Sequence, residues 1–332
     1  MFVALVMDIG GTNIRLGLLK QGEYIPTYIQ AYKINAFAHL ADVIALFLES
    51  APAHQITDAA ISVATPVMGD YIKLTNHSWQ FSIAAVRAQF GWQRLKVVND
   101  FAALALSLPL LHPHELQQIG GGEADAAGVI GLLGAGTGLG VSGLVATPEG
   151  WYPLSGEGGH VTLGARNARE LAIFSHFWAK YGHMSAERLL SGTGLVEVYQ
   201  VVCALDGVPA EALDAAAISQ RAIAQSCVVC AEVMALFCEC LGVVAGNLVL
   251  SLGATGGLYI GGGIIPQLGD FFVNSTFRQA FEAHGRFRAY LEAVPVYVIH
   301  ADQAALRGAA HSLDSRFIRL GVNCITGGVG TC

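Results

Sequence analysis

The feature that most constrains the fold is a short apolar strand that runs into two adjacent glycines near the start of the chain. Phe2–Met7 is an unbroken apolar run, which is typical of a buried strand, and Asp8 follows it directly. Gly10-Gly11 then turns the chain, and Ile14–Leu19 has the pattern of a second strand. The segment therefore predicts a β-hairpin with a carboxylate at the base of its turn.

The residues of this turn are suited to binding an anion. Gly10 and Gly11 leave main-chain N–H groups open to approach, and Thr12 and Asn13 add hydrogen-bonding side chains. Because carboxylate and phosphate repel each other, Asp8 is useful beside a phosphate mainly when a metal ion lies between them. The turn predicts a Mg²⁺–nucleotide site. The alternative is an ordinary hairpin turn, which two glycines also favour.

A second glycine-rich turn, Gly134–Gly140, follows the apolar run Val129–Leu133 and carries one hydroxyl, Thr137. Two such turns from different domains could hold a polyphosphate. The alternative is a dinucleotide fold, because Gly138–Gly143 matches GxGxxG by count. A strand pattern, Val141–Val145, follows where that fingerprint requires a helix. The sequence contains no Gly-Lys dipeptide, which excludes a Walker A loop.

Asn99 and Asp100 lie between a predicted strand, Leu95–Val98, and a predicted helix, Phe101–Leu108. Open α/β sheets bind their ligands at the carboxyl ends of strands. A carboxylate there can orient a sugar hydroxyl and accept its proton during phosphoryl transfer, since the proton leaves late in a loose transition state. The alternative is that Asp100 only caps the helix.

Further polar side chains stand in the segment Ser155–His160 and near residue 187. Glu157 and His160 lie among three glycines, which we interpret as a mobile frame, and Glu187 supplies another carboxylate. Carboxylates accept hydrogen bonds from neighbouring hydroxyls, which suits a polyhydroxylated substrate. Two alternatives stay open: Glu157 and His160 as metal ligands, and His183 with Glu187 as a pair on a helix surface.

Charge and hydropathy exclude some classes of protein. The net charge is 18 − 25 = −7 with no basic cluster, which argues against a nucleic-acid partner. Hydrophobic residues make up 53% of the chain, and Cys240–Gly269 contains no charged residue. We interpret this stretch as a buried helix followed by a buried strand and not as a membrane span. No signal-peptide pattern is visible at the N-terminus, so we expect a cytoplasmic protein without a membrane partner.

The chain contains seven cysteines, an odd number that favours a reducing compartment. Cys227-Val-Val-Cys230 has the spacing of a metal or redox motif, and Cys238 and Cys240 follow it. No second pair with zinc-ribbon spacing accompanies it, so we interpret these four as small core residues.

Strand and helix patterns alternate along the chain, and a hairpin with a glycine-rich turn opens each part. Pro109, Pro113 and Gly120–Gly122 punctuate the sequence, which predicts a domain boundary near residue 110. We expect two related α/β domains with a cleft between them.

Taken together, the segments resemble the bacterial glucokinase family over roughly residues 3 to 313. The resemblance is carried by Asp8–Asn13, Thr75–Trp79, Val98–Phe101, Gly134–Gly140, Gly156–Val161, Ser185–Gly192 and Gly256–Gly263. It implies the two-domain α/β fold of the actin-like ATPases (ribonuclease H-like), with a cleft between a small domain, 1–110, and a large domain, 111–300. A C-terminal helix at about 300–320 is expected to return to the small domain.

The resemblance also implies roles for single residues. Asp100 matches the catalytic base, and Asp8 matches the Mg²⁺-associated carboxylate. The implied glucose-binding set is Asn99, Asp100, Glu157, His160 and Glu187. The implied nucleotide-binding set is Asp8, Gly10, Gly11, Thr12, Asn13, Gly136, Thr137, Gly138, Gly261 and Gly262, in which the last two fall where adenosine is expected to pack.

The expected function is that of a glucokinase: ATP, with Mg²⁺, phosphorylates glucose at its 6-hydroxyl. The alternatives are a kinase for another hexose and a non-catalytic ATP- and sugar-binding regulatory protein. Family members are commonly dimers, so a homodimer is expected. The cysteine-rich zinc motif of the repressor/ORF/kinase group is absent from the sequence, and the tail Val322–Cys332 has no counterpart that we can assign.

Overall fold

The computed structural model describes four parts of the chain: residues 2–52, 55–75, 77–314 and 324–326. Its contacts divide the molecule into two units, each built from strands and helices. The first unit draws on Met1–His112, Leu144–Ser155 and Ala301–Cys332, and the second on Pro113–Gly143 and Gly156–His300.

The described strands are β1 (Phe2–Ile9), β2 (Asn13–Lys20), β3 (Thr27–Lys33), β4 (Asp58–Val63), β5 (Tyr71–Lys73), β6 (Gln80–Ser82), β7 (Arg94–Asn99), β8 (Leu116–Gln118), β9 (Ile130–Ala135), β10 (Leu139–Thr147), β11 (Gly150–Gly156), β12 (Leu258–Gly261), β13 (Val296–Ile299) and β14 (Cys324–Thr326). The α-helices are α1 (Leu40–Ser50), α2 (Ile83–Gln89), α3 (Asp100–Ser107), α4 (Ala168–Tyr181), α5 (Gly192–Leu205), α6 (Ala215–Ile223), α7 (Val228–Leu252), α8 (Ile265–Leu268), α9 (Asp270–Val273), α10 (Phe277–Glu282), α11 (Arg288–Ala293) and α12 (Ala304–Ser312). Short 3₁₀ helices span Ile34–Ala36, Leu108–Leu110, Pro113–Glu115, Gly158–His160, Ala186–Arg188 and Gly285–Phe287.

The sheet of the first unit has the strand order β14-β7-β4-β1-β2-β3. β1 pairs in parallel with β4 and β4 with β7, whereas β1 and β2 form the antiparallel hairpin predicted from Gly10-Gly11. Since the carboxyl ends of parallel strands meet at one edge of a sheet, Asp8 at the end of β1 and Asn99 at the end of β7 lie at the same edge.

Both faces of this sheet are covered, which explains why β1 is apolar from Phe2 to Met7. One face carries Leu5 and Met7 into the larger core cluster of the unit. The other face carries Ala4 and Val6, which pack with Leu306 of α12. A strand that is buried on both faces has to be apolar at every position, so the alternating pattern of a half-exposed strand is missing.

Helix α12 packs against α3 at a glycine. A Cβ atom at Gly308 would lie 1.6 Å from the carbonyl oxygen of Ala103. The backbones of the two helices therefore approach closely where no side chain fits, and this contact holds α3 and its first residue, Asp100, in place.

We expect the substitution Gly308→Ala to lower the free energy of unfolding by roughly 1–3 kcal/mol or more, because the helices have to separate to admit a methyl group. Urea denaturation measures the effect. Gly164→Ala is the matched control, since a Cβ atom at Gly164 has no neighbour within 4 Å. Equal stability of the two variants would show that the two helices separate at little cost.

The second six-stranded sheet has the order β11-β10-β9-β12-β13-β8, with β9, β12 and β13 parallel. Its strands β8, β9, β12 and β13 and the start of β10 lie in the second unit. β9 and β12 approach closely at their ends, where a Cβ atom on Gly134 would lie 2.6 Å from the Gly261 carbonyl carbon. Gly262 has a φ of +82°, and its Cβ would lie 2.3 Å from the Ala135 oxygen. The packing of these strands by itself requires glycine at these positions.

Helix α7 is the one helix in the described residues that is long and apolar enough to cross a membrane. It packs against α10 through two glycines: Cβ atoms at Gly242 and Gly246 would lie 2.3 Å from the Phe277 oxygen and 2.7 Å from the Phe281 oxygen. Its buried side chains belong to the core of the second unit. The interpretation as a buried helix followed by a buried strand is therefore confirmed, although the helix begins twelve residues earlier than the uncharged stretch, at Val228.

At the C-terminus, the described part of the helix predicted for 300–320 is α12, and residues 315–320 lie outside the described residues. Of the tail Val322–Cys332, the structure describes Cys324–Thr326, which pair antiparallel with β7. Asn76, within the motif Thr75–Trp79, also lies outside the described residues.

Candidate functional site

Residues predicted for the site, together with neighbours that the structure brings to them, form two groups, one in each unit. We call Asp8, Arg15, Ser62, Asn99 and Asp100 the first-unit cluster. Gly138, Leu139, Glu157, His160 and Glu187 form the second-unit cluster. Each cluster is described here by itself.

Asn99, and not Asp100, caps helix α3. The Asn99 Oδ1 accepts hydrogen bonds from the N–H groups of Phe101 and Ala102 at 3.0 and 3.3 Å. Asp100 is the first residue of the helix, and its Oδ1 accepts from the Phe101 N–H at 2.9 Å and from the Asn99 Nδ2 at 3.0 Å. Its Oδ2 has no hydrogen-bond partner in the described chain, so this carboxylate keeps one oxygen available for a ligand.

The Asp100 carboxyl has an unusually high pKa. Burial raises the pKa of Asp100 from 3.8 to about 6, the Phe101 N–H opposes the shift, and the negative charge of Asp8 adds to it. Burial acts in this direction because the ionised form loses its hydration. A carboxylate with such a pKa is a better proton acceptor near neutral pH than an ordinary aspartate.

The side-chain amide of Asn99 already donates two hydrogen bonds, one of them to Asp100. Besides the bond to Asp100, its Nδ2 donates a hydrogen bond of 3.4 Å to the Thr65 carbonyl oxygen. The family resemblance implies that Asn99 belongs to the sugar-binding set. Binding a sugar through Nδ2 would require the exchange of one of these two bonds, and the longer one to Thr65 is the weaker.

Asp8 lies between a buried hydroxyl and a guanidinium. β4 places Ser62 directly opposite Asp8, and the fully buried Ser62 Oγ has no hydrogen-bond partner of good geometry in the described residues. The Arg15 guanidinium is 3.6 Å from Asp8 Oδ2. Burial raises the pKa of Asp8, and Ser62 and Arg15 both oppose that shift.

The hairpin turn presents unused hydrogen-bonding groups. The N–H groups of Gly11 and Thr12 donate no hydrogen bond within the described residues, and neither do the side chains of Thr12 and Asn13. Gly10 has no positive φ, and a Cβ atom there would make only an ordinary contact of 3.5 Å with the Asn13 oxygen. The fold does not require glycine at position 10. The absence of a side chain there instead leaves the main-chain N–H groups accessible to a ligand.

Glu187 is the best-anchored carboxylate of the second-unit cluster. Its Oε2 accepts a hydrogen bond of 2.9 Å from the Leu139 N–H. A Cβ atom at Gly138 would lie 2.5 Å from the same oxygen, so glycine at 138 is what admits the carboxylate. Glu187 Oε1 has no hydrogen bond in the described chain and remains available.

His160 lies between the two carboxylates. Its Nδ1 is 3.9 Å from Glu187 Oε1 and its Nε2 is 4.0 Å from Glu157 Oε2, both beyond hydrogen-bond length. The side chains of His160 and Glu157 are each about 60% exposed. Three polar groups thus stand close together, each with at least one hydrogen-bonding atom unused, which suits a ligand with several hydroxyls.

Two of the three glycines around His160 pack closely against β10, which the interpretation as a mobile frame did not anticipate. Cβ atoms at Gly158 and Gly159 would lie 2.8 Å from the Val141 side chain and 2.0 Å from the Leu139 carbonyl oxygen. These glycines let the 3₁₀ helix Gly158–His160 press against β10, so they fix His160 in place.

The alternative pairing of His183 with Glu187 on one helix is also wrong. His183 lies in the loop after α4, and Glu187 lies in the 3₁₀ helix Ala186–Arg188. The His183 Nε2 is hydrogen-bonded to Thr162 Oγ1 at 2.9 Å, and Thr162 pairs with Ser185 in an isolated bridge. Together these contacts tie the Glu187 segment to the His160 segment.

The remaining predicted residues belong to the second glycine-rich turn and to the end of β12. The Thr137 and Gly138 N–H groups donate no hydrogen bond within the described chain, and a Cβ atom at Gly136 would meet only the Gly263 nitrogen at 3.9 Å. As at Gly10, packing therefore does not require glycine at position 136. Gly262, in contrast, is explained by strand packing, and Gly261 is the residue that Gly134 approaches closely.

Sequence reasoning missed Arg15 and Ser62. A signal for Arg15 existed, because a tight hairpin pairs Asp8 with Arg15 across β1 and β2. Ser62 had no signal, because only the parallel pairing of β1 with β4, 54 residues apart, brings it to Asp8. No group of three or more side chains suited to bind a metal occurs in the residues that the structure describes, and the alternative with Glu157 and His160 as metal ligands gains no support.

Comparisons with known proteins all point to one family. A sequence profile of the glucokinase family matches residues 5–316. The chain is 48% identical over 329 residues to a glucokinase of Aromatoleum aromaticum, across 98% of this chain and 97% of the relative. It is 44% identical over 314 residues to a glucokinase of Chromobacterium violaceum, across 93% and 89%.

The fold is similar to the crystal structure of a glucokinase from an Antarctic psychrotroph. The TM-score is 0.85 with 35% identity, and the match covers 93% of this chain and 98% of that one. The α/β fold of the actin-like ATPases expected from the sequence is therefore confirmed.

Proposed function

The chain belongs to the glucokinase family, and from that premise we infer that it transfers the γ-phosphoryl group of ATP to the 6-hydroxyl of glucose, giving glucose 6-phosphate and ADP. The observation that carries the mechanism is Asp100, a half-buried carboxylate with one unbound oxygen and a pKa of about 6 at the carboxyl end of β7.

We propose that Asp100 Oδ2 accepts a hydrogen bond from the 6-hydroxyl and takes its proton as the oxygen attacks phosphorus. In a loose transition state the proton leaves late, so orienting the hydroxyl matters more than basicity. The two hydrogen bonds to Asp100 Oδ1 fix the plane of the carboxylate, which points the free oxygen in one direction.

For the sugar, we propose that Glu157, His160 and Glu187 bind the other hydroxyls of glucose. Glu187 Oε1 and both oxygens of Glu157 are free to accept, and the His160 ring can donate or accept. The proposal requires these residues and Asp100, with Asn99 as its positioning partner, to act on one glucose molecule. It therefore predicts a cleft between two domains near the limits 1–110 and 111–300.

For ATP, we propose that the two glycine-rich turns bind the phosphates. The unused N–H groups of Gly11, Thr12, Thr137 and Gly138 are suited to phosphate oxygens, with the side chains of Thr12, Asn13 and Thr137 adding donors. Arg15 can pair with a phosphate in place of Asp8, since its guanidinium is partly exposed. Adenosine is proposed to pack near Gly261 and Gly262.

The residues around Asp8 fit Mg²⁺. This ion is usually held by one or two carboxylates together with substrate phosphates and waters, which agrees with a single well-placed carboxylate. The Ser62 hydroxyl beside it has no hydrogen-bond partner of good geometry in the described residues. We propose Asp8 as the residue that holds Mg²⁺–ATP. When bound, the ion supplies positive charge that offsets the charge of the phosphates.

If the turn at Gly10-Gly11 binds the phosphates of ATP, the substitution Gly10→Ala should weaken ATP binding without affecting the fold. The variant should fold with unchanged stability, because a methyl group meets only an ordinary contact, whereas the KM for ATP should rise roughly tenfold as the methyl group blocks approach to the main chain. The KM for glucose is the internal control and should stay unchanged. An unaltered KM for ATP would remove the first turn from the nucleotide site.

The function is tested by ADP production from Mg²⁺–ATP with glucose, mannose, fructose, N-acetylglucosamine and 6-deoxyglucose. Rapid turnover with glucose and none with 6-deoxyglucose is the expected result. Turnover of a different hexose in preference to glucose would reassign the substrate. Glucose binding without turnover would indicate a sensor and leave Asp100 with only a structural role.

We further propose that the enzyme acts in the cytoplasm as a homodimer. The five cysteines that the structure describes as free suit a reducing compartment. Leu171 and Trp178, exposed and seven residues apart on one face of α4, offer an apolar contact surface. Sedimentation equilibrium of the wild type and of Trp178→Glu tests the dimer, since the charge should shift the equilibrium toward monomer.

A further inference from the structure

Two cysteines outside both clusters meet at the start of the longest helix. Cys227 is the N-cap of α7, and its Sγ accepts a hydrogen bond from the Cys230 N–H at 3.5 Å. The Cys227-Val-Val-Cys230 motif, which we interpreted as core residues only, thus places two thiols within the first turn of α7, with the Cys227 sulfur against the backbone of Cys230.

The two thiols differ in access to solvent. Cys227 is partly exposed and stands between exposed residues, Ser226 and Val228, whereas Cys230 is fully buried. A small molecule can therefore reach one sulfur of the pair and not the other. This is the arrangement of an attacking thiol with a resolving thiol behind it.

The surroundings of Cys227 favour its thiolate. Main-chain N–H groups of Cys230 and Val229 at the first turn of α7, together with the Arg221 guanidinium, lower the pKa of Cys227. Burial instead raises the pKa of Cys230 and of Cys238 to about 12 each. Cys227 therefore differs chemically from the buried cysteines on the same helix.

We propose that Cys227 and Cys230 form a reversible disulfide by exchange with low-molecular-weight disulfides, which makes the start of α7 a redox modification site. No large movement is required, because the two residues lie three positions apart at the start of one helix, where side chains are neighbours, and a disulfide joins Cα atoms about 4–7 Å apart. Disulfides in proteins of reducing compartments are usually of this transient kind.

The exchange takes two steps. The Cys227 thiolate attacks one sulfur of the small disulfide, whose S–S bond breaks and releases one small thiolate, which then takes up a proton. The Cys230 sulfur, on losing its proton to solvent, attacks the Cys227 sulfur of this mixed disulfide and expels the second small thiol. Overall, two protein thiols are oxidised and one small disulfide is reduced to two thiols.

The experiment uses the full-length protein equilibrated with oxidised and reduced glutathione at several ratios. Free thiols are then labelled with one alkylating reagent, and the protein is unfolded and reduced. A second reagent of different mass labels the remaining thiols before peptide mapping by mass spectrometry. The readout is the redox state of each cysteine separately, so other cysteines of the chain do not obscure the result.

We expect Cys227 and Cys230 to become oxidised together at one glutathione ratio and to be restored by dithiothreitol. Cys230→Ser should trap glutathione on Cys227, and Cys227→Ser should leave Cys230 unmodified in the folded protein. Cys238→Ser is the matched control, because this cysteine is buried on the same helix, and it should oxidise like the wild type. Circular dichroism establishes that each variant is folded, and Cys230→Ala replaces Cys230→Ser if the serine variant is not.

Two outcomes would overturn the proposal. One is that both cysteines stay reduced at every ratio while the protein remains folded. The other is a stable glutathione adduct on wild-type Cys227 without the internal disulfide, which would show that Cys230 does not resolve it. Neither outcome bears on phosphoryl transfer, because neither cysteine belongs to the first-unit or second-unit cluster.

Discussion

Replacement of Asp100 by asparagine is expected to reduce kcat by roughly 10²- to 10⁴-fold, the usual contribution of a positioned general base. Affinity for glucose should stay within about threefold, because the amide oxygen keeps the hydrogen bond from the Phe101 N–H and the side chain keeps its shape. Steady-state kinetics with glucose and Mg²⁺–ATP, together with calorimetric glucose binding, separate the two effects.

Glu49→Gln is the matched control for this substitution. It makes the same change from carboxylate to amide in the same unit, at an exposed position on α1. Its kinetics should equal those of the wild type. If Asp100→Asn retained a near wild-type kcat, Asp100 would not be the base, and the free oxygen at the end of β7 would have another purpose.

The raised pKa of Asp100 gives this prediction a pH dependence. The base must be ionised to act, so kcat/KM should fall tenfold per pH unit below about pH 6. The pKa of Asp100 in the folded state lies above its unfolded value near 3.8. The free energy of unfolding therefore falls as the pH rises from about 4 to about 6, and the full loss is present above pH 6. Asp100→Asn should therefore be more stable than the wild type at pH 7, by on the order of 1–3 kcal/mol, with the difference vanishing below about pH 4.

Glu187→Gln is expected to raise the KM for glucose by roughly 10- to 100-fold, because a hydrogen bond to a charged group is worth about 1.5–3 kcal/mol. The KM for ATP should change by less than about threefold, because the substitution removes a hydrogen-bond partner of the sugar and leaves every partner of the phosphates in place. Glutamine retains an oxygen for the Leu139 N–H, so the segment should stay in place. Glu157→Gln should change the same constant by less, because its side chain is more exposed than that of Glu187.

Glu292→Gln provides the control in the same unit, since Glu292 is half exposed and pairs with Arg288 one helical turn away. Its kinetic constants should not change. A rise in the KM for ATP instead of glucose in Glu187→Gln would move the second-unit cluster to the nucleotide.

Much of the fold followed from local sequence patterns. The apolar runs before Gly10 and Gly134 predicted β1 and β9, and the transition from strand to helix at residues 99–100 predicted β7 and α3. Interpretations that depended on contacts between distant segments fared worse. The glycines at 158 and 159 suggested mobility, whereas the structure shows that they permit close packing on β10.

The sequence by itself determined which chemical groups stand at the ends of the strands: Asp8, Asp100 and the glycine-rich turns. Strand periodicity and glycine content are local properties that one stretch of chain reveals. Only the tertiary structure decided how those groups behave. The Asp100 pKa depends on burial and on the charge of Asp8, 92 residues away, and the Glu187 carboxylate is fixed by an N–H group 48 residues away. Electrostatic fields and close packing depend on distances in space, and a linear pattern does not contain those distances.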